Sequence, residues 1–393
     1  MPRYSPPLKP SAQEIYDVVV IGAGPGGCSA ARALAQKGFS VLILEKASLP
    51  RYKTCGGGVL NRASNFLPPS VATVVEKEFN SISLNFLNAG LSFTTTRSEP
   101  LVRMTMRADL DNLLANEARN VGAELLESCL VKSVASIGNC VEISTTKETF
   151  RAQFVIAADG VHSATAKANG WSPLPCLAPA LEWELQVSEA DFARFGQTAR
   201  FDFDCIESGY AWVFPKRDHL SVGILSTVRT NINLPARLEN YVTAIGIKQI
   251  LKSEKHGYLI PLAPRREPLA RGRILLVGDA AGLADPITAE GISYAVHSGQ
   301  FAAQALQQCK LDVSQVDQHY QSLLEKHILR DLRAGRFLAN ILYNYPRIRN
   351  CAFHWRGQRL TDFVGDVVMG ERNYAEALKK PASYLKLLGF GKT

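Results

Sequence analysis

The run Asp17-Val-Val-Val-Ile-Gly-Ala-Gly-Pro-Gly-Gly27, with an acid at Glu45, has the residue types and spacing to hold an adenine dinucleotide. Gly22 allows a tight turn, Gly24 lets backbone approach a pyrophosphate, and Gly27 lets a helix pack close to a strand. Pro25 and Gly26 lie in the same turn. There a helix N-terminus offers unpaired N–H groups and a positive dipole end to a diphosphate. Glu45 lies 23 positions after Gly22, where a carboxylate can take both hydroxyls of a ribose and repel a 2′-phosphate. Lys46 follows it and joins the same set. The motif alone does not separate FAD from NAD, and a βαβ unit without a nucleotide would carry the same glycines.

The flanking residues supply the elements the motif needs. Val18–Ile21 is an unbroken β-branched run, as in a strand buried on both faces. An alanine-rich helix is expected over roughly Cys28–Lys37, stopped by Gly38. Residues 49–58, Leu-Pro-Arg-Tyr-Lys-Thr-Cys-Gly-Gly-Gly, form a loop whose glycines imply close approach of backbone to a ligand. Cys55 at its tip reads equally as a small buried hydrophobe or as a reacting group. Residues 71–104 alternate in places, as antiparallel strands do, and a helix over about Arg107–Val121 ends at Gly122. A strand over Phe154–Gly160 follows, then short strands from about Leu181 to Leu262 with a helix near Pro235–Ile245. Gly272–Asp279 reads as a buried strand ending in Gly278-Asp279, and a helix starts at Ile292. An aspartate at a strand's carboxyl end can hydrogen-bond a ribityl hydroxyl, and a helix N-terminus near 289–292 favours negative charge. Beyond residue 306 the pattern is helical to the end.

The bulk numbers set the class. The chain has 393 residues, 46% hydrophobic and 20% charged, which fits a soluble globular protein of two domains or one with an elaborate second layer. No apolar run is long enough to span a membrane, and the proline-rich residues 1–12 read as a flexible arm without a secretory core. Eight scattered cysteines show no C-x-x-C spacing, so no metal site is indicated and a cytoplasmic compartment is expected. Of the net charge of +8, most falls between Lys326 and Arg359, where eight basic residues face one acid and alternate with Phe337, Tyr345, Phe353 and Trp355. That window suits anionic lipid headgroups at a membrane surface or a phosphorylated substrate, or else a helix packed on the body with solvated arginines. No recognition motif for nucleic acid accompanies it.

The glycine fingerprint, Asp159-Gly160 and Gly278-Asp279, in that order, resemble the para-hydroxybenzoate hydroxylase-type flavoproteins. Within them, Pro50-Arg-Tyr-Lys-Thr-Cys-Gly-Gly-Gly58, Gly209-Tyr-Ala-Trp-Val-Phe-Pro215 and Gly278-Asp-Ala-Ala-Gly-Leu-Ala-Asp-Pro286 look most like the geranylgeranyl reductase family. The resemblance implies an α/β (α+β overall) chain with a Rossmann-like FAD-binding domain, a β-rich substrate domain and a C-terminal helical region. The implied parts are 13–60, 105–175 and 263–305 for FAD, 61–104 and 176–262 for substrate, and 306–393 for the helices. It implies FAD held by Gly22, Gly24, Pro25, Gly26, Gly27, Glu45, Lys46, Cys55, Gly56, Gly57, Arg107, Val131, Asp159, Gly160, Gly278, Asp279, Pro286, Glu290, Gly291 and Ile292. Tyr210, Trp212 and Phe214 would line an apolar cavity over the flavin ring, or be plain strand packing. The sequence departs from the family at Glu207, Ala289 and Lys167, where proline, glycine and arginine are usual.

The resemblance implies reduction of isolated C=C bonds of a prenyl diphosphate or prenyl lipid, by hydride from reduced flavin and a proton from elsewhere. Cys55 with a bound water is the candidate proton relay. The direct donor is NAD(P)H or ferredoxin, and the region 326–359 would touch an anionic membrane peripherally. Two other readings use the same scaffold, a flavin-dependent monooxygenase or halogenase, and an electron-transfer flavoprotein acting on a quinone.

Overall fold

The computed structural model describes residues 15–228 and 232–379, so the arm expected over 1–12 and the end of the helical region beyond 379 lie outside the described residues. The β-branched run becomes the strand Ile15–Ile21, whose Val18, Val19 and Val20 have no exposed surface. It pairs in parallel with Val41–Leu44 on one side and with Thr149–Ala157 on the other. Ile274–Leu276 extends the sheet beyond Thr149–Ala157, and Glu124–Leu126 extends it beyond Val41–Leu44. Burial on both faces explains the absence of alternation in these strands.

The helix after the glycine turn is Pro25–Ala35, three residues earlier than the alanine pattern suggested. Gly24 is extended, at φ −81° and ψ 178°, and Pro25 takes the first helical position, where its missing N–H costs nothing. The helix lies against Ile292–Gln308, and a Cβ on Gly299 would stand 2.2 Å from the Gly26 carbonyl oxygen. Such backbone-to-backbone contact brings the two helix N-termini to one side of the sheet. The strand expected over Gly272–Asp279 is shorter than its apolar pattern. Only Ile274–Leu276 is paired as a strand; Val277 is still extended, and Gly278 at φ +54° turns the chain into a single helical turn, Gly278–Ala281, which carries Asp279.

A second, seven-stranded sheet runs in the order Ile250–Pro261, Leu177–Val187, Leu220–Ser226, Gly209–Pro215, Ala199–Phe203, Ser81–Phe86 and Leu91–Thr96. Two of its strands are long, 11 and 12 residues, where short strands were expected, and a helix at Glu189–Phe195 gave no signal beyond the Ser188 that caps it. Alternation gives the sheet two faces. Leu185, Ala211, Val213, Val222 and Ile224 pack under the helix Leu234–Ala244, which falls where a helix was expected. Ala180, Glu182, Tyr210, Trp212, Phe214 and Leu225 take the other face. A small sheet of Gly58–Leu60, Val102–Thr105 and Val75–Phe79 completes the β-structure.

The last layer is helical through residue 379: Val313–Leu324, a π-type turn at Glu325–Leu329, Arg330–Asn344, Pro346–Met369 and Tyr374–Lys379. The Pro346–Met369 helix, kinked at Arg356, lies on the strand Leu91–Thr96. Gly357 permits this, since a Cβ there would meet the Phe93 ring at 2.0 Å. No helix among the described residues is long and apolar enough to cross a membrane.

Candidate active site

One cavity of about 560 Å³ runs between the parallel sheet, the second sheet and the helical layer. That is within the ordinary range for a cofactor or small-ligand site. Its lining includes Gly22, Gly24, Pro25, Gly26, Glu45, Lys46, Cys55, Gly56, Gly57, Arg107, Val131, Asp159, Gly160, Gly278, Asp279, Glu290, Gly291 and Ile292, together with Tyr210, Trp212 and Phe214. Two expected members are missing from it. Gly27 serves packing instead, with a Cβ there falling 2.1 Å from the Gly22 carbonyl oxygen. Pro286 lies against the last helices, its Cγ 3.1 Å from the Cβ position of Gly335.

At the dinucleotide end, Glu45 Oε2 accepts the Ala23 N–H at 2.8 Å and Oε1 accepts the Ala47 N–H at 3.1 Å. Arg51 reaches both Glu45 oxygens and donates to Asp111 Oδ2 at 3.0 Å. Arg107 holds Asp111 through two bonds of 2.8 Å, so a buried carboxylate aims two guanidinium groups at the cavity. Lys53 lines the same region with Nζ 3.1 Å from the centre of the Tyr258 ring. Burial, then the Arg107 charge, lower its pKa to about 8. Burial likewise pushes Asp279 above the usual carboxylate range.

Three observations fit FAD to this end. A Cβ on Gly24 would meet nothing within 4 Å, so that side of the turn faces open cavity. Asp159 Oδ2 accepts the Thr165 N–H at 3.0 Å, whereas Oδ1 is buried with no hydrogen-bond partner among the described residues. Arg107, held fully charged by Asp111, and Lys53 gather at this end, and a pyrophosphate would restore the depressed Lys53 to full charge.

Around the expected ring position the backbone is fixed from outside. Tyr210 donates its hydroxyl to the Thr288 carbonyl, and Tyr343, stacked on Tyr210, donates to that of Ile287. Tyr210 therefore positions the loop as well as lining the cavity. Glu290 also borders the cavity, but its carboxylate serves the protein: Oε2 pairs with Arg62 at 2.9 Å and Oε1 accepts the Ser293 N–H at 2.6 Å. Arg62 also holds Asp285 at 3.2 Å, and Tyr374 from the last described helix donates to the same Asp285. Ala289, where the family has glycine, sits at φ +57°, in the left-handed region a side chain disfavours.

The Cys55-Gly56-Gly57 loop is pressed between the sheets. A Cβ on Gly56 would stand 2.9 Å from Phe214, and one on Gly57 would stand 2.0 Å from the Thr105 carbonyl oxygen. Fully buried Lys216 donates to the Gly56 carbonyl at 2.7 Å and to that of Thr105 at 2.8 Å. Cys55 accepts the Gly57 N–H at 3.4 Å and faces the cavity. Trp212 lies flat on Gly223, where a Cβ would enter the indole at 2.0 Å. Sequence reasoning missed Tyr52, Lys53, Arg62, Glu182, Lys216, Tyr258, Leu342, Phe353, Val364 and Val368. Of these only Tyr52 and Lys53 carried a local signal, their place in the glycine loop.

A family model described as an FAD binding domain matches residues 15–186. The chain is 32% identical to an uncharacterised protein of Methanosarcina barkeri, over 84% of this chain and 85% of that one. It is 30% identical to the digeranylgeranylglycerophospholipid reductase 2 of Methanothermobacter thermautotrophicus, over 82% of this chain and 88% of the relative. The chain belongs to the geranylgeranyl reductase family of FAD-dependent oxidoreductases. The fold agrees: a geranylgeranyl bacteriochlorophyll reductase-like protein of Thermoplasma acidophilum superposes with a TM-score of 0.77, covering 95% of this chain and 99% of that one at 23% identity. As a member of this family the protein is an FAD-dependent oxidoreductase.

Lys53 gives the cofactor site a pH signature. In the FAD-free protein its amine is depressed to about 8 by burial, and a bound pyrophosphate would raise it again. Above pH 8, binding FAD then takes up a proton, so affinity is expected to fall as pH rises and to stay level below pH 8. Calorimetric titration of FAD in buffers of different ionisation enthalpy measures that proton. A Lys53→Gln protein should show neither the uptake nor the slope; a slope that survives the substitution assigns the effect elsewhere.

Proposed function

We propose that the protein reduces isolated C=C bonds of a prenyl chain carried on a diphosphate or a lipid. When bound, reduced FAD supplies a hydride from its N5 to one alkene carbon. The observation that carries this reading is the far end of the cavity, walled by Leu84, Phe201, Trp212, Phe214, Leu342, Phe353, Val364 and Val368. Side chains from the second sheet and two C-terminal helices line it as an apolar, largely aromatic slot. It suits an alkyl chain and would hold the double bond near the ring while excluding water. Cys55, at the tip of its loop, stands in the same space. A Cys55→Ser enzyme with normal FAD content and full turnover would remove the thiol from the reaction.

Filling the slot tests the reading. Val368→Trp should leave FAD content unchanged and cut turnover of a geranylgeranyl substrate at least ~10-fold while sparing a shorter prenyl chain. That loss equals about 1.4 kcal/mol of transition-state binding. Equal turnover of both chains in the variant would place the substrate elsewhere.

The basic window serves, in this proposal, as the contact with an anionic membrane. Its residues divide once folded. Arg349 is buried and paired with Asp204, while Arg330 and Arg333 both reach Glu325. Exposed Arg336 and Arg347 remain beside Phe337, Tyr345, Ile348 and Trp355, the last 67% exposed. Leu342 and Phe353 of these same two helices line the cavity, so the patch adjoins the substrate slot. Sedimentation with phosphatidylglycerol vesicles should retain the protein at low salt and lose it at high salt. An Arg347→Glu, Trp355→Glu protein should bind less tightly, the arginine alone contributing about 1 kcal/mol. Unchanged retention would make the patch an ordinary solvated surface.

A further inference from the structure

The cavity face of the second sheet is apolar and aromatic over most of its width, with one acidic interruption. Strand register places Glu182 opposite Gly223 on one side and His256 on the other, so it shares the face of Trp212. Glu182 is 1% exposed and lines the cavity. Glu184, two residues on, projects from the same face. The Tyr52 hydroxyl, from the loop that carries Cys55, donates to Glu182 Oε1 at 3.0 Å. Glu184 Oε2 lies 3.2 Å from His219 Nε2, and His219 Nδ1 is 2.8 Å from Asp218 Oδ1. The Asp218 side chain is 71% exposed. A line of titratable groups therefore runs from solvent toward the cavity wall, Asp218, His219, Glu184 and Glu182, the His219–Glu184 step being an ion-pair contact in which Glu184 Oε2 makes no aligned hydrogen bond among the described residues.

We infer that Glu182 is the proton donor of the reaction, kept as a neutral acid inside the cavity and recharged from solvent through Glu184 and His219. This rests on the alkene-reduction reading. As the alkene π bond breaks, its electron pair bonds the second alkene carbon to the Glu182 O–H proton and leaves a carboxylate. A second electron pair arrives with the hydride on the first carbon, and the carboxylate regains a proton from bulk water along the relay.

The surroundings favour the neutral form. Burial, then the charge of Glu184, push Glu182 well above the usual carboxylate range, opposed by the Lys216 ammonium and by the Tyr52 hydrogen bond. The Lys216 ammonium, held by the Gly56 and Thr105 carbonyls, offsets less than the Glu184 charge adds. His256 faces from the neighbouring strand, its ring against Tyr52 at a centroid distance of 4.0 Å. His219 is raised, because Glu184 and Asp218 outweigh its burial. A raised histidine between two carboxylates, one exposed and one buried, can pass a proton near neutral pH.

Infrared titration of the FAD-loaded enzyme without substrate tests the acid itself. A protonated-carboxyl band that titrates near neutrality should vanish in Glu182→Gln and shift in His219→Gln. In single turnover, Glu182→Gln should keep normal FAD content and normal reduction by dithionite. Reoxidation by a geranylgeranyl substrate should slow ~100-fold or more, with partial recovery in Glu182→Asp. His219→Gln should slow repeated turnover but leave the first turnover at the wild-type rate. An unchanged band in Glu182→Gln, or reoxidation within twofold of wild type, overturns the proposal. If wild-type enzyme fails to reduce prenyl substrates while the band behaves as stated, the alkene reading fails and the buried acid stands.

Discussion

Replacing Arg62 with methionine is expected to cost about 3–5 kcal/mol of stability and most of the bound FAD. The guanidinium, nearly buried, holds Asp285 at 3.2 Å and Glu290 at 2.9 Å, and Asp285 is wholly buried. Methionine fills much of the volume but strands two carboxylates in the protein interior. Both belong to the loop whose Ile287 and Thr288 carbonyls are held by Tyr343 and Tyr210. Loosening that loop therefore reaches the wall of the cavity where the flavin ring is expected. Tyr374→Phe removes only one hydrogen bond to Asp285 and should cost about 1–3 kcal/mol. Urea unfolding followed by tyrosine and tryptophan fluorescence, with visible absorbance for FAD content, measures both. An Arg62→Met protein as stable and as yellow as wild type would mean the network is incidental.

The second large effect separates two glycines of one turn. Gly27→Ala should destabilise the FAD-free protein by about 3 kcal/mol or more, since its Cβ would meet a backbone oxygen at 2.1 Å that cannot yield without opening the turn. Gly24→Ala should leave the FAD-free protein within ~0.5 kcal/mol of wild type, because its Cβ meets nothing within 4 Å. It should nevertheless weaken FAD binding at least ~10-fold, about 1.4 kcal/mol, by occupying the space where a pyrophosphate approaches. Thermal unfolding of the FAD-free variants and fluorescence titration with FAD separate the cases. Equal FAD affinity in Gly24→Ala and wild type would contradict the placement of the pyrophosphate.

These glycines were legible because their function is local. A strand, a turn and a helix within thirty residues fix the geometry, so spacing carries the information. Tyr210, Trp212 and Phe214 were legible for a related reason: alternation puts all three on one face of one strand. Glu182 was not. In Leu181-Glu-Trp-Glu-Leu185 the acids alternate with apolar residues, the usual pattern of a strand with one wet face. Only the register with Gly223 and His256 turns that face toward the cavity. Arg62, Tyr374, Leu342 and Phe353 belong to the same class, because distant segments bring them to the flavin loop and the slot. The short strand before Gly278 shows the reverse error: Gly278 and Asp279 were read into the strand, whereas the positive-φ glycine starts a helical turn there. Pro286, expected at the ring, does not line the cavity, and its side chain packs at Gly335.

The measurement closest to the central claim is an anaerobic single turnover in heavy water. The purified FAD-loaded protein is reduced chemically and mixed with geranylgeranyl diphosphate, or with a geranylgeranyl lipid in vesicles. Flavin absorbance is followed while mass spectrometry reads the product. The account predicts reoxidation matched by saturation of one prenyl double bond per flavin, with deuterium at both new C–H positions, because the flavin N5 hydrogen and the acid proton both come from solvent. A flavin that stays reduced with both substrates, yet reoxidises at once with a quinone or with oxygen and a phenol, would contradict it.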